Sequence, residues 1–251
     1  MTAPWYLQPF GVFDLETTGV NAREDRIVTG YMATLFPASA GAQVRIDAKV
    51  LLDPKYPIHP KATEKHGISN EHARLYGIDP RDGIWAISIA LHRAWSAGFP
   101  VVVFNGAFDF SFVHFECLRY DVPTPADQLG RPAGEIGPVI DAHVLDKHVD
   151  KYRSGSRTLE ATCKHWGVRL DTAHEADSDA MGAGRLAYTL AHRFPREVGA
   201  VDLATLHERQ RGWRRDQQSS LQRHFRTKGG KPDAVVDPCW PLCIDLTHPT
   251  S

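Results

Sequence analysis

The residues best suited to chemistry in this chain are two carboxylates, Asp14 and Glu16, which stand two positions apart after an apolar run. Residues i and i+2 of a strand point to the same face, so both side chains would project together at the end of the first strand. Neighbouring carboxylates repel each other unless a cation lies between them. Oxygen ligands suit Mg²⁺ or Mn²⁺, so the pair predicts a metal site, with an exposed acidic strand end as the alternative.

Two further acids and a histidine are placed where they could converge on this pair. Asp109 follows the apolar run 100–104, so it would lie at the mouth of a second buried strand. His174 and Asp179 are five residues apart, about 140° around a helix, and would not share a helical face. We therefore expect His174 in the loop before a helix and Asp179 inside the first turns of that helix.

The elements that must position these residues follow from hydrophobic periodicity and turn signals. Three strands in succession, at 9–14, 26–35 and 43–53, predict an antiparallel meander. Later segments predict a helix at 70–75 capped by Ser69, a helix at 82–97, a strand at 100–104, a helix at 109–119, a loop at 122–138, a strand at 139–141, and helices at 159–166, 175–193 and 198–226. Pro57 and Pro60 are expected to interrupt regular structure. A meander followed by alternating helices and strands predicts an α/β fold with one mixed sheet.

Two of the later helices carry distinctive side-chain patterns. The helix at 175–193 has alanines at helical spacing, which would let it pack close to the sheet. The tail helix has Leu206, Trp213, Leu221 and Phe225 on one side, which predicts an apolar core-facing stripe. Segment 202–231 contains eight Lys/Arg and three Asp/Glu, which is compatible with a phosphate-binding face or with a solvated helix face.

Three motifs along the chain together resemble those of the DEDDh family of 3′→5′ exonucleases. In order they are Asp-Leu-Glu-Thr-Thr-Gly (14–19), Asn-x-x-Phe-Asp (105–109) and His-x₄-Asp (174–179). This family includes the DnaQ-like proofreading subunits of bacterial DNA polymerase III. Lys65–Ser69, 139–141 and 158–167 are similar to further family segments. Phe104 and Gly106 depart from the family pattern, in which His and Ala are frequent there.

The resemblance implies a ribonuclease-H-like fold, with a mixed sheet of about five strands flanked by helices and a C-terminal helical extension. It places an exonuclease domain at 1–195 and leaves 196–251 as a basic helix and tail.

The resemblance also implies a role for each motif residue in two-metal-ion hydrolysis of a phosphodiester. Asp14 would bridge two divalent cations, Mg²⁺ or Mn²⁺. Glu16 and Asp179 would complete the ion on the nucleophile side, and Asp109 would hold the second ion. His174 would take the proton from the attacking water. The residues expected to contact the terminal nucleotide are Leu15, Thr17, His66, Asn105 and Phe108. The alternative for His66 is a histidine at the start of a helix without this role, and the alternative for Phe108 is a position in the core.

Composition excludes several function classes. The chain has 251 residues, 42% hydrophobic and 24% charged, with a formal net charge of −1, as in ordinary globular proteins. No run approaches 18 apolar residues, so no membrane span is expected, and no secretory signal is expected at the N-terminus. Four irregularly spaced cysteines favour a reducing cytoplasm over a disulfide scaffold. Cys239 and Cys243, with His248 beyond, are only a weak metal-site signal.

Three functions remain in competition. The leading one is a metal-dependent 3′→5′ exonuclease that releases nucleoside 5′-monophosphates from DNA 3′ ends, in replication, proofreading or repair. The first alternative is an exoribonuclease of the same family, because no residue in the sequence reports on a 2′-hydroxyl contact. The second is a catalytically silent module that binds nucleic acid or a polymerase. A DNA polymerase subunit is a plausible partner, and no membrane partner is expected.

Overall fold

A single five-stranded sheet organises the protein, for which the computed structural model describes residues 3–38 and 41–244. The strand order is β3-β2-β1-β4-β5. The strands are β1 (Phe10–Thr17), β2 (Ile27–Phe36), β3 (Gln43–Leu51), β4 (Val101–Val103) and β5 (Val139–Asp141). β1, β2 and β3 pair antiparallel, whereas β4 runs parallel to β1 and β5 runs parallel to β4. The predicted mixed α/β sheet and the N-terminal meander are confirmed.

Helices cover both faces of this sheet. Within the described residues they are α1 (Pro60–His66), α2 (Asn70–Tyr76), α3 (Pro80–Ser96), α4 (Gly106–Arg119), α5 (Pro125–Gln128), α6 (Ala142–Val149), α7 (Leu159–Trp166), α8 (Ala176–Arg193) and α9 (Leu203–Thr227). Of these helices, none is long and apolar enough to cross a membrane.

Four helix predictions are corrected by the structure. The segment 122–138, expected to be loop, contains the short helix α5. Pro60 does not interrupt regular structure; it is the first residue of α1, where its missing N–H costs nothing, and the side chain of His59 caps the helix. No helix is predicted from the sequence at 142–149, but the structure has α6 there. The Asp141 side chain caps this helix by accepting from the backbone N–H groups of residues 143 and 144. The tail helix begins at Leu203 rather than at 198, because a π-helical turn at Pro195–Gly199 precedes it.

The alanine-rich face of α8 packs directly on the sheet, as predicted. Its alanines are buried: Ala176, Ala180, Ala183, Ala187 and Ala191. Gly184 lies on the same face, and a Cβ atom built there would come within 2.6 Å of the Val12 side chain of β1. The small side chains therefore bring the helix axis close to β1, the strand that carries the paired carboxylates.

The face of α9 that packs on the domain is largely polar, which corrects the predicted apolar stripe. Of that stripe only Leu206 is buried. The Gln210 amide donates to the Val139 carbonyl at 2.9 Å and accepts from the Asp141 backbone N–H at 2.7 Å. His207 Nδ1 accepts from the Val139 backbone N–H at 3.1 Å. Polar side chains are used here because β5 is the edge strand of the sheet and offers backbone groups that need partners.

The segment after α9 returns to the core and contains a disulfide. Trp240 and Cys243 are buried in the same apolar cluster as α3 and α4. Cys239 and Cys243 are joined by a disulfide, with Cα atoms 5.3 Å apart, whereas irregular cysteine spacing predicts free thiols. Spacing does not reveal that the chain bends back between them. His248 of the weak metal-site signal lies outside the described residues, and the division into 1–195 and 196–251 stays a prediction.

Candidate active site

The paired carboxylates lie on the face of β1 that α8 covers. Asp14 is opposite Tyr31 and Glu16 is opposite Thr29 in the register with β2. Asp14 is partly exposed, and Glu16 is only 4% exposed. Asp179, which is 8% exposed, is the fourth residue of α8. The close packing of α8 on β1 therefore brings a third carboxylate to the strand.

A fourth carboxylate comes from the parallel half of the sheet. Asp109 is 3% exposed and lies in the first turn of α4, shortly after β4, as predicted, although α4 begins at Gly106 rather than at 109. The turn that starts α4 has Asn105 in the left-handed conformation, with φ +67°. The Asp141 carboxylate holds this turn by accepting from the backbone N–H groups of Asn105 at 2.9 Å and Gly106 at 3.0 Å. Asp141 thus orients the helix that carries Asp109.

The four carboxylates share one electrostatic environment. Burial raises the pKa of Asp14 well above its usual value, and the charges of Asp109, Glu16 and Asp179 raise it further. Burial likewise raises the pKa of Asp109, with the charge of Asp141 adding to the shift. The pKa values of Glu16 and Asp179 are also raised, in both cases mainly by burial. Such a cluster favours a bound cation at neutral pH.

One cation already lies at the cluster, and it was missed from the sequence. The Lys65 ammonium is 3.2 Å from Glu16 Oε2. The charge and hydrogen bond of Glu16 raise the pKa of Lys65 despite its partial burial, and Lys65 in turn lowers the pKa of Glu16 against the effect of burial. Lys65 is the penultimate residue of α1 and lies 49 positions from Glu16 in the sequence. The contact could not be predicted because α1 itself was not predicted.

The carboxylate oxygens at this site fit a hard divalent ion. Glu16, His174 and Asp179 each present a side-chain ligand atom, and these atoms lie within 4.8 Å of one another. Glu16 Oε1 and Asp179 Oδ1 are buried without a hydrogen-bond partner among the described residues. Unsatisfied carboxylate oxygens are costly inside a protein, and an ion would satisfy both.

His174 lies in the loop before α8, as predicted. It is exposed and has a φ of +69°, and its backbone N–H donates to Asp179 Oδ2 at 3.2 Å. This bond ties the loop to the helix, and the exposed imidazole lies at the rim of the buried carboxylates. A side chain so placed can approach a substrate while Asp179 remains fixed.

Of the five residues expected to contact a nucleotide, the structure places three around the cluster and two away from it. His66 is 9% exposed at the end of α1, and it lines a cavity of about 430 Å³ together with Glu16 and His174. Burial lowers the pKa of His66, which is a helix-end residue rather than a loop residue. Leu15 and Thr17 are buried on the opposite face of β1, so the structure does not bring them beside the carboxylates.

Asn105 and Phe108 lie beside Asp109 on the turn and first residues of α4. Both are partly exposed. The Phe108 ring contacts the Phe112 ring, with centroids 4.8 Å apart, and packs against the core, which agrees with the core alternative, whereas its contact with a nucleotide stays a prediction.

The sequence and the fold both have known relatives. The RNase_T family model, described as "Exonuclease", matches residues 12–186. The PolC-type DNA polymerase III of Streptococcus pneumoniae is 24% identical over 196 residues, which are 78% of this chain and 12% of that protein. The PolC-type polymerase of Streptococcus thermophilus is 26% identical over the same lengths. The chain thus spans about one eighth of the curated relatives it matches.

Solved structures support the same fold at low identity. Exonuclease I from Methylocaldum szegediense is similar with a TM-score of 0.59 and 19% identity, over 75% of this chain and 41% of that one. E. coli Exonuclease I in complex with a dT13 oligonucleotide has a TM-score of 0.55 and 19% identity, over 75% and 42% of the two chains. These likenesses establish the fold.

Proposed function

The chain belongs to the RNase_T exonuclease family and is DnaQ-like, and from this premise we propose that it is a metal-dependent 3′→5′ exonuclease that releases nucleoside 5′-monophosphates from DNA. The observation that carries the proposal is the convergence of Asp14, Glu16, Asp109 and Asp179 from three elements, with unsatisfied oxygens on Glu16 and Asp179. This arrangement costs stability in an empty protein and becomes favourable around cations.

In this proposal the four carboxylates hold two divalent cations, Mg²⁺ or Mn²⁺. Such ions supply charge relief on the phosphoryl oxygens and stabilise both the attacking and the leaving oxygen. The chain's contribution is to fix the ligands. β1 and α8 are locked by the alanine face, and α4 is oriented by Asp141.

His174 is proposed as the general base that accepts the proton of the attacking water. Its exposed imidazole lies at the rim of the cluster, and its loop is tied to Asp179. The imidazole can therefore approach a bound substrate, but only within the range that this hydrogen bond allows. A neutral imidazole is the side chain best suited to this step near neutral pH. His66, on the wall of the same cavity, is proposed to contact the terminal nucleotide together with Asn105 and Phe108, whereas the side chains of Leu15 and Thr17 are left out because they are buried on the opposite face of β1.

DNA is the preferred substrate in this proposal, because Exonuclease I structures of the same fold contain DNA oligonucleotides and the curated relatives are DNA polymerases. The PolC-type relatives also motivate a DNA polymerase as partner in replication, proofreading or repair. An exoribonuclease of the same family is the second candidate. A catalytically silent binding module is disfavoured, because all four carboxylates and His174 are present.

The test is a time course on single-stranded DNA and RNA of identical sequence, labelled at either the 3′ or the 5′ end, with Mg²⁺, Mn²⁺ or chelator. We expect a 3′ label to leave as a mononucleotide at once and a 5′ label to persist on a shortening ladder. Asp179→Asn should be inactive, and Asp82→Asn, an exposed carboxylate on α3, serves as the matched control. Full activity in chelator, or early release of the 5′ label, would contradict the proposal.

A further inference from the structure

A group of basic side chains surrounds the contact between α6 and α9, away from the carboxylates. We call it the α6–α9 basic cluster, and its members are His143 and Lys147 of α6, Arg153 and Arg157 of the following loop, and Arg214 of α9. The two helices are held together beside it, because Gln217 Nε2 donates to the Val144 carbonyl at 3.0 Å and the rings of Trp213 and His148 stack with centroids 3.7 Å apart.

Arg214 is the most unusual member. It is 7% exposed, and it makes no hydrogen bond or ion pair with any residue in the described ranges. Its Nε is buried without a partner. Burial lowers the pKa of this guanidinium, and the charges of Asp141 and Asp237 offset that effect only from a distance. Buried arginines are otherwise found paired, since an unpaired buried charge is strongly unfavourable.

The acids nearest to the cluster are already engaged. The two oxygens of Asp141 accept from four backbone N–H groups and from Trp240 Nε1. Asp146 accepts from Arg157 at 2.7 Å, from Arg153 at 3.1 Å and from Trp166. Asp146 is thus already paired with two arginines, and Asp141 and Asp237 act on Arg214 only from beyond ion-pair distance.

Lys147 repeats the pattern on the facing helix. It is half-buried and has no ion-pair partner among the described residues. Burial lowers the pKa of Lys147, and the charges of Arg214 and Arg157 lower it further, against the smaller opposing effect of Asp141 and Asp146. His143 Nδ1 is also buried without a partner. Two repelling cations and an unpartnered ring nitrogen at one place point to an anion that binds among them.

The cluster lies on the edge of the sheet that carries the carboxylates. β4 and β5 are parallel, so α4 with Asp109 and α6 with His143 start from the same edge. The rings of Phe104, at the end of β4, and His143 are in contact, with centroids 5.0 Å apart. β1 and β5 are two strand spacings apart, about 10 Å. A strand bound at the carboxylates could therefore reach the basic cluster within a few nucleotides.

We propose that Arg214 and Lys147 form a phosphate-binding site for the backbone of the substrate strand, a few nucleotides upstream of the 3′ end. The inference rests on the proposed function for the identity of the ligand, a nucleic-acid phosphate. The phosphate would be the missing partner of both cations, and it would set the path by which the strand enters the carboxylate cluster. Sequence-independent contacts of this kind position a strand without reading its bases.

The experiment measures equilibrium binding of fluorescent single-stranded DNA of two and of eight nucleotides, in chelator to prevent turnover, over a series of salt concentrations. Lys147→Gln and Arg214→Gln should each weaken binding of the octanucleotide about tenfold, the effect of losing one charge-assisted hydrogen bond. The slope of log Kd against log salt should fall by about 0.7 for each phosphate contact removed. The ratio of variant to wild-type Kd should be larger for the octanucleotide than for the dinucleotide.

Arg215→Gln is the matched control, because it removes one charge from the adjacent, exposed position of α9. Lys147→Gln is compared with this control only if it keeps the wild-type melting temperature. If its slope of log Kd against log salt for the octanucleotide then equals that of Arg215→Gln, the phosphate site is refuted. Lys147 is half-exposed and decides the matter even if Arg214→Gln does not fold. Wild-type protein with the expected salt slopes but no hydrolysis would instead refute the exonuclease proposal alone.

Discussion

Replacement of Asp141 by Asn tests how the fold orients the candidate site, because one carboxylate collects five donors there. Its Oδ1 accepts from the backbone N–H groups of Asn105, His143 and Val144, and its Oδ2 accepts from Gly106 and Trp240. An Asn side chain of the same shape keeps one oxygen and replaces the other by an NH₂ donor. The lower-energy orientation keeps the three contacts of Oδ1 and turns NH₂ towards the Gly106 N–H and Trp240 Nε1.

The magnitude follows from these two lost contacts. Each buried donor left without an acceptor costs about 1–3 kcal/mol, so Asp141→Asn should lower the free energy of unfolding by about 2–6 kcal/mol. The Gly106 N–H belongs to the turn that starts α4. We therefore expect Asp109 to shift and kcat to fall in the fraction that remains folded.

Urea unfolding at constant pH measures the first effect, and single-turnover hydrolysis measures the second. Asp150→Asn is the control, since it removes a partly exposed carboxylate paired with His165 at 3.0 Å and should cost no more than about 1 kcal/mol. An Asp141→Asn variant as stable as the wild type would refute the assignment of five simultaneous donors to this side chain.

Two further predictions concern the carboxylates and the histidine. Burial and three neighbouring carboxylates raise the pKa of Asp14. The protonated Asp14 side chain therefore adds to the free energy of unfolding at acid pH, and this contribution is lost as the pH rises through the raised pKa. Asp14→Asn should therefore melt at a higher temperature than the wild type in chelator at pH 8, and the gain should vanish near pH 4; equal melting temperatures at pH 8 would contradict it. His174→Ala should reduce kcat roughly 10²–10⁴-fold with little change in KM, and should flatten the rise of kcat with pH. A drop of less than tenfold would mean that another group accepts the proton.

Periodicity alone predicted most of the sheet and the long helices, because their apolar side chains repeat at the spacing of the element. It missed α1 because a proline at a first helical position looks the same in sequence as a proline in a loop. It missed α6 because that helix has only a short apolar face, with Asp146 buried between two arginines.

The motif residues of the candidate site were predictable from the sequence, but the residues that pair with them were not. Asp14, Glu16, Asp109, His174 and Asp179 stand in recognisable motifs, and the structure places all four carboxylates in one electrostatic cluster. Lys65 and Asp141 were not assigned to it. Their partners are distant in sequence, and only the folded chain brings the Lys65 ammonium to Glu16 and the Asn105 turn to Asp141.

The alanine face of α8 has a consequence for the size of ion that the site can accept. The contact of Gly184 with Val12 fixes how far α8 stands from β1, and this distance also sets how far Asp179 stands from Glu16. Oxygen ligands lie about 2.0–2.1 Å from Mg²⁺ and about 2.3–2.6 Å from Ca²⁺, so discrimination between them depends on a few tenths of an ångström. A side chain added at Gly184 would displace the helix by at least that amount. In the proposed metal site, ion selectivity would therefore depend partly on residues that never touch the ion.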